Sequence, residues 1–93
     1  NPNPPQQGTL TVGGQAQIYT TEGDTLNMRS GPGTNYDVVE RLQAGTLVTL
    51  LEGPIQSGNY TWWRVRTTGG REGWVIEGLP EDNGWLQTLI PLP

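Results

Sequence analysis

The apolar residues of this chain come in short pieces with a two-residue period, and glycine-rich or polar breaks interrupt them before a helical face can build up. Ala16 and Ile18 alternate with polar neighbours, as do Leu26 and Met28. Val38 to Leu42 and Thr46 to Leu51 follow, divided by Ala44-Gly45. Thr61 to Thr67 and Arg71 to Glu77 flank Gly69-Gly70, a dipeptide that supplies the positive φ angles of a tight hairpin turn. Period two sends alternate side chains to opposite faces of a strand, whereas a helix needs a repeat near 3.6. Short strands at spacings of roughly ten residues, joined by glycine turns, point to an all-β barrel or sandwich.

Composition agrees. The 93 residues include 14 Gly, 8 Pro and 4 Trp but no Phe, the make-up of short strands anchored by a few large aromatic side chains. That length holds one domain with a thin core. Three prolines in the opening NPNPPQQG favour extended polyproline conformations, so residues 1–9 are expected to be a linker and residues 10–93 the domain with its C-terminal extension.

Several function classes are excluded early. With no cysteine and no histidine, the chain lacks thiolate nucleophiles, the common metal ligands and the usual general base. Only carboxylates and hydroxyls remain, without a recognisable activating pattern, so no catalysis and no cofactor are expected. A net charge of −4 with five Lys+Arg argues against nucleic acid. No apolar run approaches the ~20 residues of a membrane span, and membrane insertion is not expected. Ser30-Gly31-Pro32-Gly33 is followed by neither a lysine nor a helical pattern, so it is a turn rather than a phosphate cradle.

The stretch Leu26 to Tyr36, LNMRSGPGTNY, resembles the signature of bacterial SH3-like (SH3b) domains. Val38-Val39, Leu42, Gly45, Trp62-Trp63-Arg64-Val65, Gly70 and Gly73-Trp74-Val75 follow in that family's order, so the resemblance covers about Gln15 to Gly78. It implies a small five-stranded SH3-like barrel with long loops and an appended C-terminal tail. It also implies an accessory module of a secreted or surface bacterial protein, often found beside peptidoglycan hydrolases and in some cases recognising cell-wall peptides. Two departures stand out: a long loop from Gly53 to Tyr60, and the ending GLPEDNGWLQTLIP in place of a short final strand. Trp85, Leu86, Leu89 and Ile90 in that ending are expected to fold back on the barrel or to meet a neighbouring domain.

Candidate binding residues follow from faces and loops. Leu26 and Met28 share the core side of one strand, leaving Asn27 and Arg29 on the polar side, with Asp24 a nearby acid for Arg29. In the Trp doublet, Trp63 shares the face of Val65 and is expected in the core. Trp62 shares the face of Arg64 and Arg66 and is expected to be exposed, where an indole grips extended ligands as a Trp of eukaryotic SH3 domains does at a similar doublet. Covering the barrel end, or packing against the Gly53 to Tyr60 loop, is an equally simple role for it. Trp74 is a secondary candidate, and Tyr36 either meets a ligand or closes its own loop. Tyr19 is placed beside the loop Thr20 to Thr25, whose Glu22 and Asp24 suit capture of a ligand amine or weak Ca²⁺ binding, or form a solvated turn.

The expected function is a non-catalytic, extracytoplasmic binding module in which a shallow groove of Tyr19, Tyr36, Trp62 and Trp74 receives a cell-wall peptide. It is expected to be monomeric and tethered to other domains. The alternative is a protein–protein interaction or regulatory domain of an extracytoplasmic sensor or enzyme.

Overall fold

A computed structural model describes residues 10–20, 23–58, 60–81 and 84–92, with backbone alone for 79–81 and 84–86. The described chain is all β. Its strands are β1 (Gln15–Ile18), β2 (Thr25–Arg29), β3 (Val38–Gln43), β4 (Leu47–Ser57), β5 (Tyr60–Thr67), β6 (Glu72–Ile76), β7 (Gly78–Glu81), β8 (Gly84–Gln87) and β9 (Leu89–Pro91). Seven of them form one antiparallel sheet in the order β3-β2-β6-β5-β4-β1-β9, and β7 and β8 make a separate hairpin.

Burial follows the two-residue period. Ala16 and Ile18 are buried on β1, Leu26 and Met28 on β2, and Trp63, Val65 and Thr67 on β5, with less buried residues between the first two pairs. Leu42, Val48, Leu50, Val75 and Leu89 join the same hydrophobic cluster, so both ends of the sheet contribute to one core. A sheet whose end strands share a core must curl on itself, as the right-handed twist of strands encourages. The curl stops short of closure, because β3 and β9 lie at opposite edges and do not pair. Where the sequence suggested a five-stranded SH3-like barrel, the described residues form an open, curled seven-stranded sheet and a small hairpin, an all-β arrangement consistent with an SH3-like fold.

Of the two departures from the family pattern, one lengthens strands β4 and β5 and the other adds strands. The expected loop from Gly53 to Tyr60 is largely strand: Ile55 pairs with Trp62, Gln56 with Thr61 and Ser57 with Tyr60, after register shifts between Leu50 and Ile55. Each shift adds residues on one side of the ladder and bends the hairpin. The ending supplies β7, β8 and β9. Leu89 is fully buried, Gln17 pairs with Ile90, and the Leu92 amide donates to the Gln15 carbonyl at 3.0 Å. A buried Thr88 locks the junction by donating its hydroxyl to the Ile76 carbonyl at 2.6 Å, while the Thr88 and Leu89 amides both donate to the Glu77 carbonyl.

The hairpin read at Gly69-Gly70 is present. Gly70 has φ 94°, and its amide closes the turn on the Thr67 carbonyl at 2.9 Å.

Candidate functional site

The two indoles of the Trp doublet point to opposite faces of β5, yet both are buried, Trp62 at 1% exposure and Trp63 at 4%. Trp63 enters the core and donates its Nε1–H to Glu77 Oε1 at 2.8 Å. Trp62 was expected to be exposed, and the structure corrects this. Its register partner on β6 is Ile76, its Nε1–H donates to the Ser57 carbonyl at 3.2 Å, and the Tyr60 ring packs edge-on against it with centroids 6.3 Å apart. Ser57 and Tyr60 belong to the part of the β4–β5 hairpin that the sequence suggested was a loop. Alternation along one strand identifies a face but not what a bent neighbour lays over it.

Beside this covered indole lies a cleft of about 260 Å³. Trp62, Ile76 and Leu26 contribute its apolar lining, while Thr25, Asn27 and Arg29 add the polar edge of β2. Tyr60 and Thr34 also line it, and both continue into a second cleft of about 310 Å³ bordered by Gly33, Asn35, Ser57 and Gly58. The two clefts share residues and so adjoin between the loop after β2 and the tip of the β4–β5 hairpin; together they are called the trough.

The signature segment builds one bank of that trough. Arg29 Nη1 donates to the carbonyls of Thr34 at 3.1 Å and Tyr36 at 2.9 Å, drawing the loop back over the end of β2. The Ser30 amide donates to the Asp37 carbonyl at 2.9 Å and closes the loop base. Tyr36 lays its ring directly on Gly31: a Cβ built on that glycine would overlap the ring, and one on Gly33 would lie 3.2 Å from it. Glycine is needed at Gly31 for close approach rather than for its φ.

The sequence-derived candidates do not converge on the trough. Of Tyr19, Asp24, Tyr36, Trp62 and Trp74, Trp62 alone lines it. Tyr36 is 44% exposed and closes its own loop. Tyr19 is 49% exposed where β1 ends, its amide bound to the Thr88 carbonyl. Trp74 is half-buried on β6, opposite Arg64 on one side and Arg29 on the other. Asp24 precedes the lining residue Thr25 and accepts the Thr20 hydroxyl on its carbonyl at 2.9 Å. Glu22 lies outside the described residues. Asn27 and Arg29 were legible as belonging to a polar strand face, whereas Tyr60 stood at the end of an expected loop, and only the fold brings them together beside Trp62.

Electrostatics sets Arg29 apart from most of the other cations. Arg64 bridges Glu52 at 3.1 Å and Glu72 at 3.0 Å, and Arg66 holds the second Glu72 oxygen at 2.8 Å. Hydrogen bonds from Arg66 and then Arg64 hold the Glu72 carboxyl below its usual value of 4.5, and the same network raises Arg64 further. Arg71 pairs with Glu40 at 3.0 Å. Among the described residues no carboxylate lines the trough, and no group of three or more His, Cys, Asp or Glu side chains is placed to hold a metal.

This arrangement, a signature loop locked against a curled antiparallel sheet, coincides with a match over residues 24–87 to the family described as the bacterial SH3 domain. The chain belongs to the bacterial SH3 domain family. This SH3 domain is 32% identical over 75 residues to serine/threonine-protein kinase D of Synechocystis, covering 80% of the chain and 15% of the kinase. It is also 32% identical over 66 residues to YrvJ of Bacillus subtilis, whose name assigns it as an N-acetylmuramoyl-L-alanine amidase, covering 71% of the chain and 11% of that protein. The domain thus spans less than a sixth of either relative. No solved structure matches it significantly. Among the described residues no helix is long and apolar enough to cross a membrane.

Proposed function

We propose that this SH3 domain is a non-catalytic, extracytoplasmic binding module that takes an extended peptide of the bacterial cell wall into the trough between the signature loop and the β4–β5 hairpin. The carrying observation is the trough itself: two adjoining clefts share Tyr60 and Thr34, with Trp62 and Ile76 beneath one of them. Aromatic and apolar lining with a few placed polar groups is the usual make-up of a ligand site, and Tyr and Trp contribute most where they are already held rigid. Trp62 is held rigid by Ser57, Tyr60 and Ile76. Its role is to form the floor rather than to reach out. The likeness to a protein named as a wall amidase supports a wall peptide as the occupant. A shallow single site gives weak affinity, and tethering to other domains supplies avidity.

The test is retention on insoluble peptidoglycan, comparing the native domain with Thr34→Trp. Thr34 is exposed, lines both clefts and serves Arg29 through its carbonyl, so an indole there obstructs the trough while leaving the core intact. Retention is expected to fall at least about tenfold at unchanged melting temperature, the equivalent of ~1.4 kcal/mol. Equal retention places the site elsewhere; failure of the native domain to bind several wall types favours a protein partner.

A further inference from the structure

Given a peptide in the trough, we infer that the end it presents is a free carboxylate, held by Arg29. The chain carries nine Asp+Glu against five Lys+Arg, and all five cations are arginines. A concave site in so acidic a protein would be expected to include a carboxylate, yet among the described residues none lines either cleft and the single charged lining residue is Arg29. Arg64, Arg66 and Arg71 are already paired with carboxylates, and Arg41 is outside the trough lining. The trough therefore selects against cations and offers one anchoring positive charge.

Arg29 is also oriented for this role. Its Nη1 is fixed by two loop carbonyls, which hold the planar guanidinium without neutralising it. Guanidinium donors form a rigid fork that matches the two oxygens of a carboxylate, and less rotamer entropy is lost when the fork is already immobilised. Along the same strand, Thr25, Asn27 and Arg29 occupy alternate positions and line the same cleft. Alternate strand residues repeat every ~6.6–6.8 Å, the repeat of an extended peptide, so the hydroxyl and amide of Thr25 and Asn27 fall where successive ligand carbonyls pass. Beyond Thr34 the trough is bordered by Gly33, Asn35, Ser57 and Gly58, which offer backbone and side-chain polar groups to a passing chain.

The experiment is an NMR titration of the isotope-labelled chain with acetyl-Ala-Ala-Ala-Ala as the free acid and as its carboxamide, following the Tyr60 amide, the Trp62 indole N–H and the Arg29 side chain. The acid is expected to bind about tenfold more tightly than the carboxamide at low salt, with the ratio shrinking as salt screens the charge. In Arg29→Gln the ratio is expected to fall to about one, because acid affinity is lost well beyond any change in carboxamide affinity. Because that variant also loosens the loop, the carboxamide is its control: a fall in both affinities to the same degree would make Arg29 a structural residue and overturn the inference. Equal affinities in the native chain, with shifts at Tyr60 and Trp62, would overturn the carboxylate while leaving the peptide trough standing. No shift at either residue with either peptide would overturn both.

Discussion

Gly31→Ala is expected to destabilise the domain through one contact, and the size of the effect can be worked out beforehand. Gly31 does not have a positive φ, so alanine meets no backbone strain; its whole penalty is the overlap of the new Cβ with the Tyr36 ring. The ring has two options. It can stay and overpack, at about 1–3 kcal/mol, or swing away and lose its own burial. Tyr36 is 44% exposed, leaving roughly half of a ~200 Å² side chain covered. At ~25 cal/mol per Å² that cover is worth up to about 2.5 kcal/mol. The cheaper option sets the cost, so Gly31→Ala should lose about 1–2.5 kcal/mol and lower the melting temperature by roughly 5–15 °C for a domain of this size. The decisive measurement is a double-mutant cycle by urea unfolding. Tyr36→Ala alone should cost a similar amount, and adding Gly31→Ala to it should cost almost nothing more, giving a coupling of at least about 1 kcal/mol. Additive single effects, or a neutral Gly31→Ala, would refute the idea that this glycine is required by the ring above it.

Leu89→Ala should cost about 2–5 kcal/mol in chemical denaturation, because a fully buried side chain is cut back within the core; a surface-like change below about 0.5 kcal/mol would mean that β9 is not part of the folded unit. Glu72 gives a pH signature. Its carboxyl is held below 4.5 by Arg66 and Arg64, so the folded state takes up that proton less readily than the unfolded chain. Its contribution is present above pH 4.5 and lost as pH falls through the lower folded value, so Glu72→Gln should flatten the acid limb of a stability–pH curve while leaving the residual slope of the other carboxylates. An unchanged acid limb would show that the network is screened at the surface.

Much of the β pattern was legible because its cause is local. Alternation at Ala16 and Ile18, at Leu26 and Met28, and at Trp63 and Val65 needs only one strand and one core, and Gly69-Gly70 needs only a turn. The signature segment was legible as a turn, though its reason, the Tyr36 ring on Gly31, needed coordinates. What escaped was non-local. Gly53-Pro54 and the polar residues after it look like a loop until Ile55 meets Trp62 across a bent ladder. That extension buries the very indole whose strand position argued for exposure. The apolar ending was expected to fold back on the barrel, as Leu89 does, but nothing in GLPEDNGWLQTLIP shows that Leu89 and Ile90 will pair with β1. Trough residues such as Asn27, Arg29 and Tyr60 lie on strand faces that only sheet order brings together.

Because β1 and β9 run antiparallel, with Ala16 opposite Pro91 and the Leu92 amide on the Gln15 carbonyl, the start of β1 and the end of β9 lie at the same end of the sheet. That placement fixes the mechanical behaviour of the pair. Force drawn through the two flanks would load the β1–β9 hydrogen bonds singly, from Leu92 inward, and peel the pair apart instead of shearing all its bonds at once. Peeling requires little force, so β9 would act as a mechanical fuse whose release withdraws Leu89 from the core.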